Sequence, residues 1–417
     1  MTTTEKLSRY VLPTYGRFSI APIRGEGVWL WDSSGARYLD FCCGIAVCAL
    51  GHSHPRLTAA LSHQAGQLLH CSNLYEIPQQ ADLAELIVER CVSLPGKMFF
   101  SNSGAEANDG LIKLARRFGL ATPNKNGDAR YEIITFTKSF HGRTLGSMAA
   151  TGQDKIKEGF SPLLPGFVHV PYNDALAVKE AINHNTAAVL LEPIQGEGGV
   201  HVAEPDFLLA VKRLCEDHDL LFLLDEVQCG FGRSGNMMGW RSIVPAIEPD
   251  AISWAKGMGG GFPIGGFWVS DRLLGDDTTP LSSVLGPGSH GSTYGGNPFA
   301  CTASHAVLTE ILDHHLPANA AEREQQIRRE IASWNHPAIT QIRGLGLMLG
   351  IGLRTELLNA PDGTSPAIHL CTKLMANGLL VPPAGPDTIR FLPPLNLSHE
   401  EADHGLSILR ATLDELA

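Results

Sequence analysis

Short apolar runs alternate with helical stretches from about residue 97 onward, and few folds accommodate that order. The order is typical of a mostly parallel sheet whose faces are covered by helices. Between the fourth and fifth runs, the stretch DFLLAVKRLCEDHD places its apolar residues on one helix face, which predicts a crossover helix. The seven runs predicted as strands are KMFFSN, EIITFTKS, FVHVPY, AAVLLEPI, LLFLLDEV, AISWAK and IGGFWVS. The predicted fold class is therefore α/β.

The pattern changes on either side of this region, which predicts more than one unit in the 417 residues. Beyond about residue 305, a helical region over 305–334 precedes strands in IRGLGLMLGIGL and TIRFLPPLNL. A last helix follows, where Ser398 and Glu401 fit a capping box. The turn-rich first sixty residues are expected to form a hairpin arm. We predict an arm over 1–60 that packs with the small domain, a large domain over 61–305 and a small α+β domain over 306–417.

Composition excludes several classes of protein. The chain has 32 Lys and Arg against 43 Asp and Glu, a net charge of −11, and no basic block, so a nucleic-acid partner is not expected. The apolar runs are too short to cross a bilayer, and the segment MTTTEKLSRYVLP lacks the order of a secretory signal. We therefore expect a soluble, cytoplasmic protein with no membrane partner.

Cysteines and histidines give no indication of a metal site. The nine cysteines include no C-x-x-C pair and are expected to be free thiols. The two histidines of GHSHP are interpreted as turn residues, because no third ligand lies at a useful spacing in the sequence. No metal is predicted.

Polar residues at the ends of the predicted strands carry the chemistry. After KMFF, the small-residue turn in SNSGAEAND opens a helix, and the free N–H groups there suit a phosphate. Asp225 ends LLFLLDEV, and a protonated ring nitrogen would keep such a carboxylate ionised. Lys256 ends AISWAK, where burial makes an amine nucleophilic enough for a Schiff base, and the glycines after it admit a flat ring. Together these features predict a site for pyridoxal phosphate, PLP.

Each feature has a simpler interpretation when taken alone. The serine turn fits an ordinary helix cap, and a strand-end lysine commonly keeps its amine in solvent. The Asp-Glu pair after an apolar run resembles the magnesium-binding strand of an ATPase, but no G-x-x-x-x-G-K-[ST] loop exists. The G-x-G-x-x-G at 286–291 follows no clear strand, which argues against a dinucleotide site. The conjunction of the three features favours PLP.

Long motifs in a fixed order extend over nearly the whole chain. They are GEGVWLWDSSGARYLDFCCGIAVCALGHSHP, FFSNSGAEAN, SFHGRTLGSMAATG, EPIQGEGG, LLDEVQCGFGRSG, AKGMGGGFPIGG, HGSTYGGNP, RGLGLMLGI and RFLPPL. In these motifs the sequence resembles the class III aminotransferases of fold type I. The resemblance implies a seven-stranded, mostly parallel sheet in a large PLP-binding domain, a smaller α+β domain, and a homodimer with active sites at the subunit interface.

The resemblance also implies a role for individual side chains. The residues it assigns to the cofactor are Ser103, Gly104 and Ala105 around the phosphate, Phe140 stacked on the ring, Asp225 at the pyridine nitrogen, Gln228 near the phenolic oxygen, Lys256 as the Schiff-base lysine, and Thr293 as a phosphate ligand from the neighbouring subunit. The residues it assigns to substrates are Arg143 on the α-carboxylate, Ser292 as a further contact, and Glu197 with Arg390 as a switch pair.

The implied reaction moves the δ-amino group of N2-acetyl-L-ornithine to 2-oxoglutarate, as a step of arginine biosynthesis. Glu197 would neutralise the charge of Arg390 while the amine donor is bound, and would release Arg390 when the dicarboxylate binds. A structural salt bridge is the alternative interpretation of this pair. Succinylornithine, ornithine or another ω-amine are the alternative donors. An aminomutase, a racemase and a non-catalytic binding protein are the other functions that the scaffold leaves open.

Two departures from the family pattern bear on the site. Cys229 stands where the family has threonine, beside Gln228, which puts the fine contacts of the ring in doubt. The segment 272–290 is longer than the family pattern, so we expect it to reshape the substrate entrance.

Overall fold

The structure is a computed structural model that describes residues 1–275 and 277–416. Its strands are β1 (Pro22–Glu26), β2 (Trp29–Asp32), β3 (Arg37–Asp40), β4 (Gly96–Ser101), β5 (Glu132–Phe136), β6 (Phe167–Val170), β7 (Thr186–Leu191), β8 (Ile194–Gln195), β9 (His201–Val202), β10 (Leu221–Asp225), β11 (Ala251–Trp254), β12 (Gly265–Ser270), β13 (Ile339–Leu345), β14 (Met348–Leu353), β15 (Leu379–Leu380) and β16 (Thr388–Phe391). Its helices are α1 (Thr3–Tyr10), α2 (Cys43–Ala46), α3 (Pro55–Ala65), α4 (Pro78–Glu85), α5 (Gly104–Ala121), α6 (Leu145–Ala150), α7 (Ala175–Ala181), α8 (Pro205–Asp217), α9 (Pro298–Asp313), α10 (Leu316–Trp334), α11 (Pro366–Ala376) and α12 (His399–Leu416). No helix in the described ranges is long and apolar enough to span a membrane.

A seven-stranded sheet forms the centre of the large domain, with strand order β4-β12-β11-β10-β7-β5-β6. Parallel pairs join β11, β10, β7, β5 and β6. Only β12 runs against its two neighbours in this sheet. All seven predicted strands are therefore present, and the predicted α/β fold with a mostly parallel sheet is confirmed.

Helices cover both faces of this sheet, which explains why its strands are continuous apolar runs. On one face, Leu190 and Leu223 are buried together with Leu111 of α5. On the other face, the next residues along the same strands, Leu191 and Leu224, belong to the cluster that contains the apolar side of α8. A strand buried on both faces needs apolar side chains at every position, so it does not alternate with polar residues.

The N-terminal arm and the C-terminal residues share a second sheet, with order β1-β2-β3-β15. Strand β3 pairs in parallel with β15, and the rings of Phe41 and Phe391 lie 5.1 Å apart in an edge-to-face contact. The predicted boundary near residue 305 falls inside α9, and the division into three units stays a prediction. The capping box at α12 is confirmed, because the Ser398 N–H donates to Glu401 and the Glu401 N–H donates to the Ser398 hydroxyl.

Two predicted elements differ from the structure. IRGLGLMLGIGL is a hairpin of β13 and β14 rather than one strand, and Gly346 makes the turn at a φ of +56°. The helical region of 305–334 is two helices that begin earlier, at Pro298, where the Asn297 side chain caps the first turn. The chain breaks before α10 because His315 adopts a left-handed φ of +50°.

Candidate active site

The carboxyl ends of the parallel strands place the predicted site residues at one edge of the sheet. Asp225 is the last residue of β10, and Lys256 follows β11 by two residues. Ser103 follows β4 by two residues and begins α5. Ligands of open α/β sheets bind at this edge, so the elements that carry these side chains converge on one place.

Asp225 is held by donors from several parts of the chain. Only 3% of the residue is exposed. Its Oδ1 accepts from the Val227 N–H at 3.0 Å, and its Oδ2 accepts from Asn108 Nδ2 at 2.7 Å. His141 Nδ1 lies 2.8 Å from the same Oδ2. The Ser253 hydroxyl donates to the amide oxygen of Asn108 at 2.6 Å, which fixes the orientation of that amide. The carboxylate is therefore rigidly oriented, and its charge is hydrogen-bonded inside the protein.

His141 and Glu192 extend this buried network. Burial alone lowers the pKa of His141, but the hydrogen bond and charge of Asp225 outweigh it, so the pKa is raised. The Nε2 of His141 is buried with no partner among the described residues. The Glu192 carboxylate accepts from the backbone N–H groups of Phe140 and Gly196 at 2.9 and 3.2 Å. Burial raises the pKa of Glu192 to about 7.

Lys256 has an unusual backbone and a perturbed amine. Its φ is +44°, in the left-handed region that residues with side chains rarely adopt. Burial lowers the pKa of its amine, the charge of Arg390 lowers it further, and the carboxylates of Glu197 and Asp225 oppose both effects. The lysine amine is thus within electrostatic reach of the other site residues, and the shift increases its neutral, nucleophilic fraction.

The turn that opens α5 has the features of an anion site. Ser103 is the N-cap, and its hydroxyl accepts from the Glu106 N–H at 3.2 Å. Gly104 and Ala105 are the first helical residues, so their N–H groups have no partner within the helix. A methyl group on Gly265 would come within 2.5 Å of the Ser103 carbonyl oxygen. Glycine at 265 therefore allows the backbone beyond Lys256 to lie directly against this turn.

Glu197 and Arg390 form a two-pronged ion pair. Arg390 Nη1 lies 2.8 Å from Oε1 of Glu197, and Nη2 lies 3.1 Å from Oε2. Gln228 joins both partners, since its amide oxygen accepts from Arg390 at 3.1 Å and its amide nitrogen donates to Glu197 at 3.2 Å. Burial would raise the pKa of Glu197, but the charge and hydrogen bonds of Arg390 lower it overall. The pair is ionised, and Gln228 connects it to the strand end that carries Asp225.

Phe140 and Arg143 lie together on the loop after β5. The Arg143 guanidinium is 5.8 Å from the centre of the Phe140 ring and is exposed. Within residues 1–275 and 277–416, Arg143 has no carboxylate partner at salt-bridge distance. A free guanidinium beside a half-buried aromatic ring is suited to bind a carboxylate from a ligand.

Ser292 and Thr293 lie beside the turn that opens α5. The Ser292 hydroxyl accepts from Asn102 at 3.1 Å and from the Gly295 N–H at 2.9 Å. Both residues line a cavity of about 560 Å³ that also includes Asn102 and Lys113.

The two departures from the family pattern also have definite positions. The Cys229 thiol is buried in an apolar cluster with Ile194 and Met348, and burial raises its pKa well above the usual range. Ser289 and His290, at the end of the segment 272–290, both contact the amine of Lys113. Asp276 of this segment lies outside the described residues.

Three functional side chains were not assigned from the sequence. They are Asn108, His141 and Glu192. Each lies inside a motif quoted above, but nothing in the spacing indicates that they meet. Membership of a motif was the only signal available for them.

The residues at the sheet edge fit PLP. The rigid Asp225 carboxylate suits a protonated ring nitrogen, and the desolvated Lys256 amine suits a carbonyl carbon. The unpaired N–H groups at the start of α5 suit a phosphate. The donor set therefore matches the three functional ends of this cofactor.

Comparisons with known proteins agree with this chemistry. The family model described as aminotransferase class-III matches residues 10–413. The acetylornithine aminotransferase of Caldanaerobacter subterraneus subsp. tengcongensis is 44% identical over 418 residues, with 100% of both chains covered. The acetylornithine aminotransferase of Gloeobacter violaceus is 44% identical over 419 residues, covering 100% of this chain and 98% of that protein.

Solved structures show the same fold. An N-acetylornithine aminotransferase from Stenotrophomonas maltophilia superposes with a TM-score of 0.80 at 34% identity, covering 98% of each chain. An ornithine aminotransferase from Toxoplasma gondii, described with partial occupancy of PLP at its active site, has a TM-score of 0.88 at 29% identity, covering 99% of this chain and 94% of that one. The family match spans nearly the whole sequence, and these relatives are covered almost from end to end, so this chain belongs to the class III aminotransferases.

Proposed function

We propose that this enzyme transfers the δ-amino group of N2-acetyl-L-ornithine to 2-oxoglutarate, giving N-acetyl-L-glutamate 5-semialdehyde and L-glutamate. The ion pair of Glu197 with Arg390 carries the proposal, because one site must accept an amine-bearing chain and then a dicarboxylate. The names of the relatives that are 41–44% identical over nearly their full length support N-acetylornithine as the donor.

PLP is the cofactor of the class, and when bound it supplies an electron-withdrawing ring that stabilises negative charge on the substrate carbon. Lys256 would hold the cofactor covalently, and Asp225 would keep a proton on the ring nitrogen. Once its amine is released, Lys256 Nζ is the group proposed to take the proton from the δ-carbon of the donor. Its lowered pKa supports this role, because the neutral amine is the form that accepts a proton.

Substrate binding is assigned to two arginines with different surroundings. Arg143 has a free, exposed guanidinium and would bind the carboxylate remote from the reacting carbon, which is the α-carboxylate of the donor and the γ-carboxylate of 2-oxoglutarate. Arg390 is neutralised by Glu197, so it offers no net charge to the amine end of the donor. When 2-oxoglutarate enters, its α-carboxylate, which is attached to the reacting carbonyl carbon, would replace Glu197 on Arg390. Exchanging one carboxylate for another conserves the charge balance of the buried guanidinium, which makes the exchange energetically feasible.

Other donors are the main alternatives, and the fold does not separate them. Ornithine aminotransferases and an (S)-enantioselective omega-transaminase from Thermomicrobium roseum superpose as well as the N-acetylornithine enzymes do. The deciding experiment compares kcat/KM for N-acetylornithine, N-succinylornithine, ornithine and 4-aminobutyrate with 2-oxoglutarate as acceptor. We expect the highest value for N-acetylornithine. A highest value for free ornithine would overturn the assignment, and product formation without any acceptor would indicate an aminomutase or racemase.

We further propose a homodimer in which Thr293 completes the partner's phosphate site. The support is an exposed apolar surface that we call the dimer face, made of Leu69, Leu74, Tyr75 and Tyr294. Leu74 is 87% exposed and Tyr294 is 61% exposed, which is unfavourable in water. Asn73 connects the segment of Leu74 and Tyr75 to the segment of Tyr294, because its side chain donates to the carbonyl oxygens of Ser292 and Gly295.

The dimer is tested by charge substitutions on the dimer face. Leu74→Glu together with Tyr294→Glu should give monomers in analytical ultracentrifugation and weaken PLP binding. Leu176→Glu is the matched control, because Leu176 is 63% exposed on α7, outside the dimer face. A wild-type protein that sediments as a monomer with full activity would contradict the proposal.

The reaction is placed in the cytoplasm, as a step of arginine biosynthesis. All nine cysteines are free in the structure, which supports a reducing compartment.

A further inference from the structure

Asp40, Cys43 and His52 form a compact cluster of metal-ligand types outside the catalytic residues. One ligand atom of each, a carboxylate oxygen, the thiol sulfur and a ring nitrogen, lies within 4.8 Å of the other two. Cys43 is fully buried, and the side chains of Asp40 and His52 are 3% and 17% exposed. His52 belongs to GHSHP, where the sequence offered no third ligand. The fold supplies Asp40 and Cys43.

The backbone fixes this cluster from two sides. Oδ1 of Asp40 accepts from the N–H groups of Cys42 and Cys43, each at 2.9 Å, which leaves Oδ2 facing Nε2 of His52 at 2.8 Å. The backbone of His52 is held in turn by two hydrogen bonds with Gly27. The carboxylate and the imidazole are therefore oriented before any ion binds.

Cys43 begins a strained turn. The residues of α2 from Cys43 to Ala46 have positive φ values, a conformation that is costly for residues other than glycine. This reversal lets the Cys48 N–H donate to the Cys43 carbonyl at 2.9 Å.

We propose that Asp40, Cys43 and His52 bind one Zn²⁺ ion, with a water molecule as the fourth ligand. Thiolate, imidazole and carboxylate are the ligands of tetrahedral zinc, in which neighbouring ligand atoms lie about 3.3 to 3.8 Å apart. The cluster needs to change by about 1 Å or less to reach that geometry, and the hydrogen bond between Asp40 and His52 opens by about half an ångström.

Charge and protons balance in this site. Binding removes the proton of the Cys43 thiol, and the ion replaces the proton shared by Asp40 and His52, so protons are released to solvent. Asp40 and the Cys43 thiolate then carry two negative charges, which the two positive charges of Zn²⁺ balance.

The position of the ion gives it a structural consequence. The turn Cys43–Ala46 packs against the residues Lys256–Met258. An ion at Cys43 would therefore brace the wall of the active site next to Lys256.

The test uses the reduced, PLP-loaded enzyme, first treated with a chelator and then titrated with Co²⁺ as a spectroscopic substitute for Zn²⁺. We expect one equivalent per chain to give the intense visible ligand-field absorption of tetrahedral, thiolate-bound Co²⁺, and Zn²⁺ to displace it. Competition with a chromophoric chelator should show that Cys43→Ser and His52→Gln each weaken Zn²⁺ binding by at least about tenfold.

The control and the contrary results separate zinc from an ordinary buried ion pair. Cys301→Ser removes another buried thiol, on α9, and should leave the spectrum unchanged. If His52→Gln does not fold, Cys43→Ser still decides, because the Asp40–His52 pair does not need that sulfur. An absorption typical of six-coordinate Co²⁺, no binding at all, or a wild-type spectrum in Cys43→Ser would overturn the proposal.

Discussion

His141 Nδ1 lies 2.8 Å from Oδ2 of Asp225, and both side chains are excluded from solvent. Asp225 is the residue assigned to the ring nitrogen of the cofactor. We therefore assign His141 as a positioning residue, which orients the carboxylate and balances its charge.

Replacing His141 should lower turnover and leave the protein folded. His141→Leu leaves a buried carboxylate with one donor fewer, a loss of about 1–3 kcal/mol, which corresponds to roughly a tenfold to hundredfold fall in kcat. His141→Asn keeps a neutral donor and should recover part of the loss. Steady-state kinetics with saturating PLP measure both variants. Equal kcat values for His141→Leu and the wild type would show that this contact does not matter.

The same pair predicts how stability depends on pH in the PLP-free protein. The pKa of His141 is raised by Asp225, so the pair stabilises the fold fully below the ordinary pKa of about 6.5 and loses this effect as pH rises through the raised value. The difference in Tm between the wild type and His141→Asn should therefore shrink towards alkaline pH in thermal unfolding. A difference that grows with pH would have the wrong sign for this explanation.

Changes at Arg390 and Glu197 should separate the two half-reactions. Arg390→Gln removes the proposed partner of the α-carboxylate of 2-oxoglutarate, so KM for 2-oxoglutarate should rise by about tenfold or more. Glu197→Gln leaves Arg390 charged, which should slow the reaction with the amine donor more than the reaction with the acceptor.

Single-turnover measurements of each half-reaction distinguish these effects. Arg343→Gln is the matched control, because Arg343 donates hydrogen bonds to Gly199 and Thr388 and is not part of the ion pair. Equal losses in both half-reactions for Glu197→Gln would favour a purely structural salt bridge.

Gly265→Ala should weaken cofactor binding. The added methyl group would lie 2.5 Å from the Ser103 carbonyl oxygen, so the turn that begins α5 must move. We expect PLP affinity to fall by roughly tenfold or more, because site residues tolerate displacements of only about half an ångström. Gly275→Ala is the control, since nothing lies within 4 Å of a methyl group there. Equal PLP dissociation constants for the two variants would contradict the close approach described here.

The sequence allowed the sheet and the main site residues to be predicted because both depend on local patterns. Strands buried on both faces are continuous apolar runs, and Asp225 and Lys256 are recognisable as polar residues at the ends of such runs. The hairpin in IRGLGLMLGIGL was not separated into two strands because its turn, at Gly346 and Leu347, has no polar residue to mark it.

Contacts between distant residues could not be predicted in this way. Asn108 and Asp225 are 117 residues apart, and their hydrogen bond exists only because α5 and β10 meet at the sheet edge. The cluster of Asp40, Cys43 and His52 depends on a left-handed turn that no residue pattern indicates, since Cys43, Ile45 and Ala46 are not residues that favour positive φ.

The central assignment is that Lys256 holds PLP next to Asp225. Borohydride reduction tests this assignment most directly. The PLP-loaded enzyme is reduced and digested, and its peptides are sequenced by mass spectrometry. We predict a pyridoxyl group on Lys256 alone, and none in Lys256→Ala, which should also lose multiple turnover. A pyridoxyl group on another lysine, or sustained turnover by Lys256→Ala, would contradict the assignment.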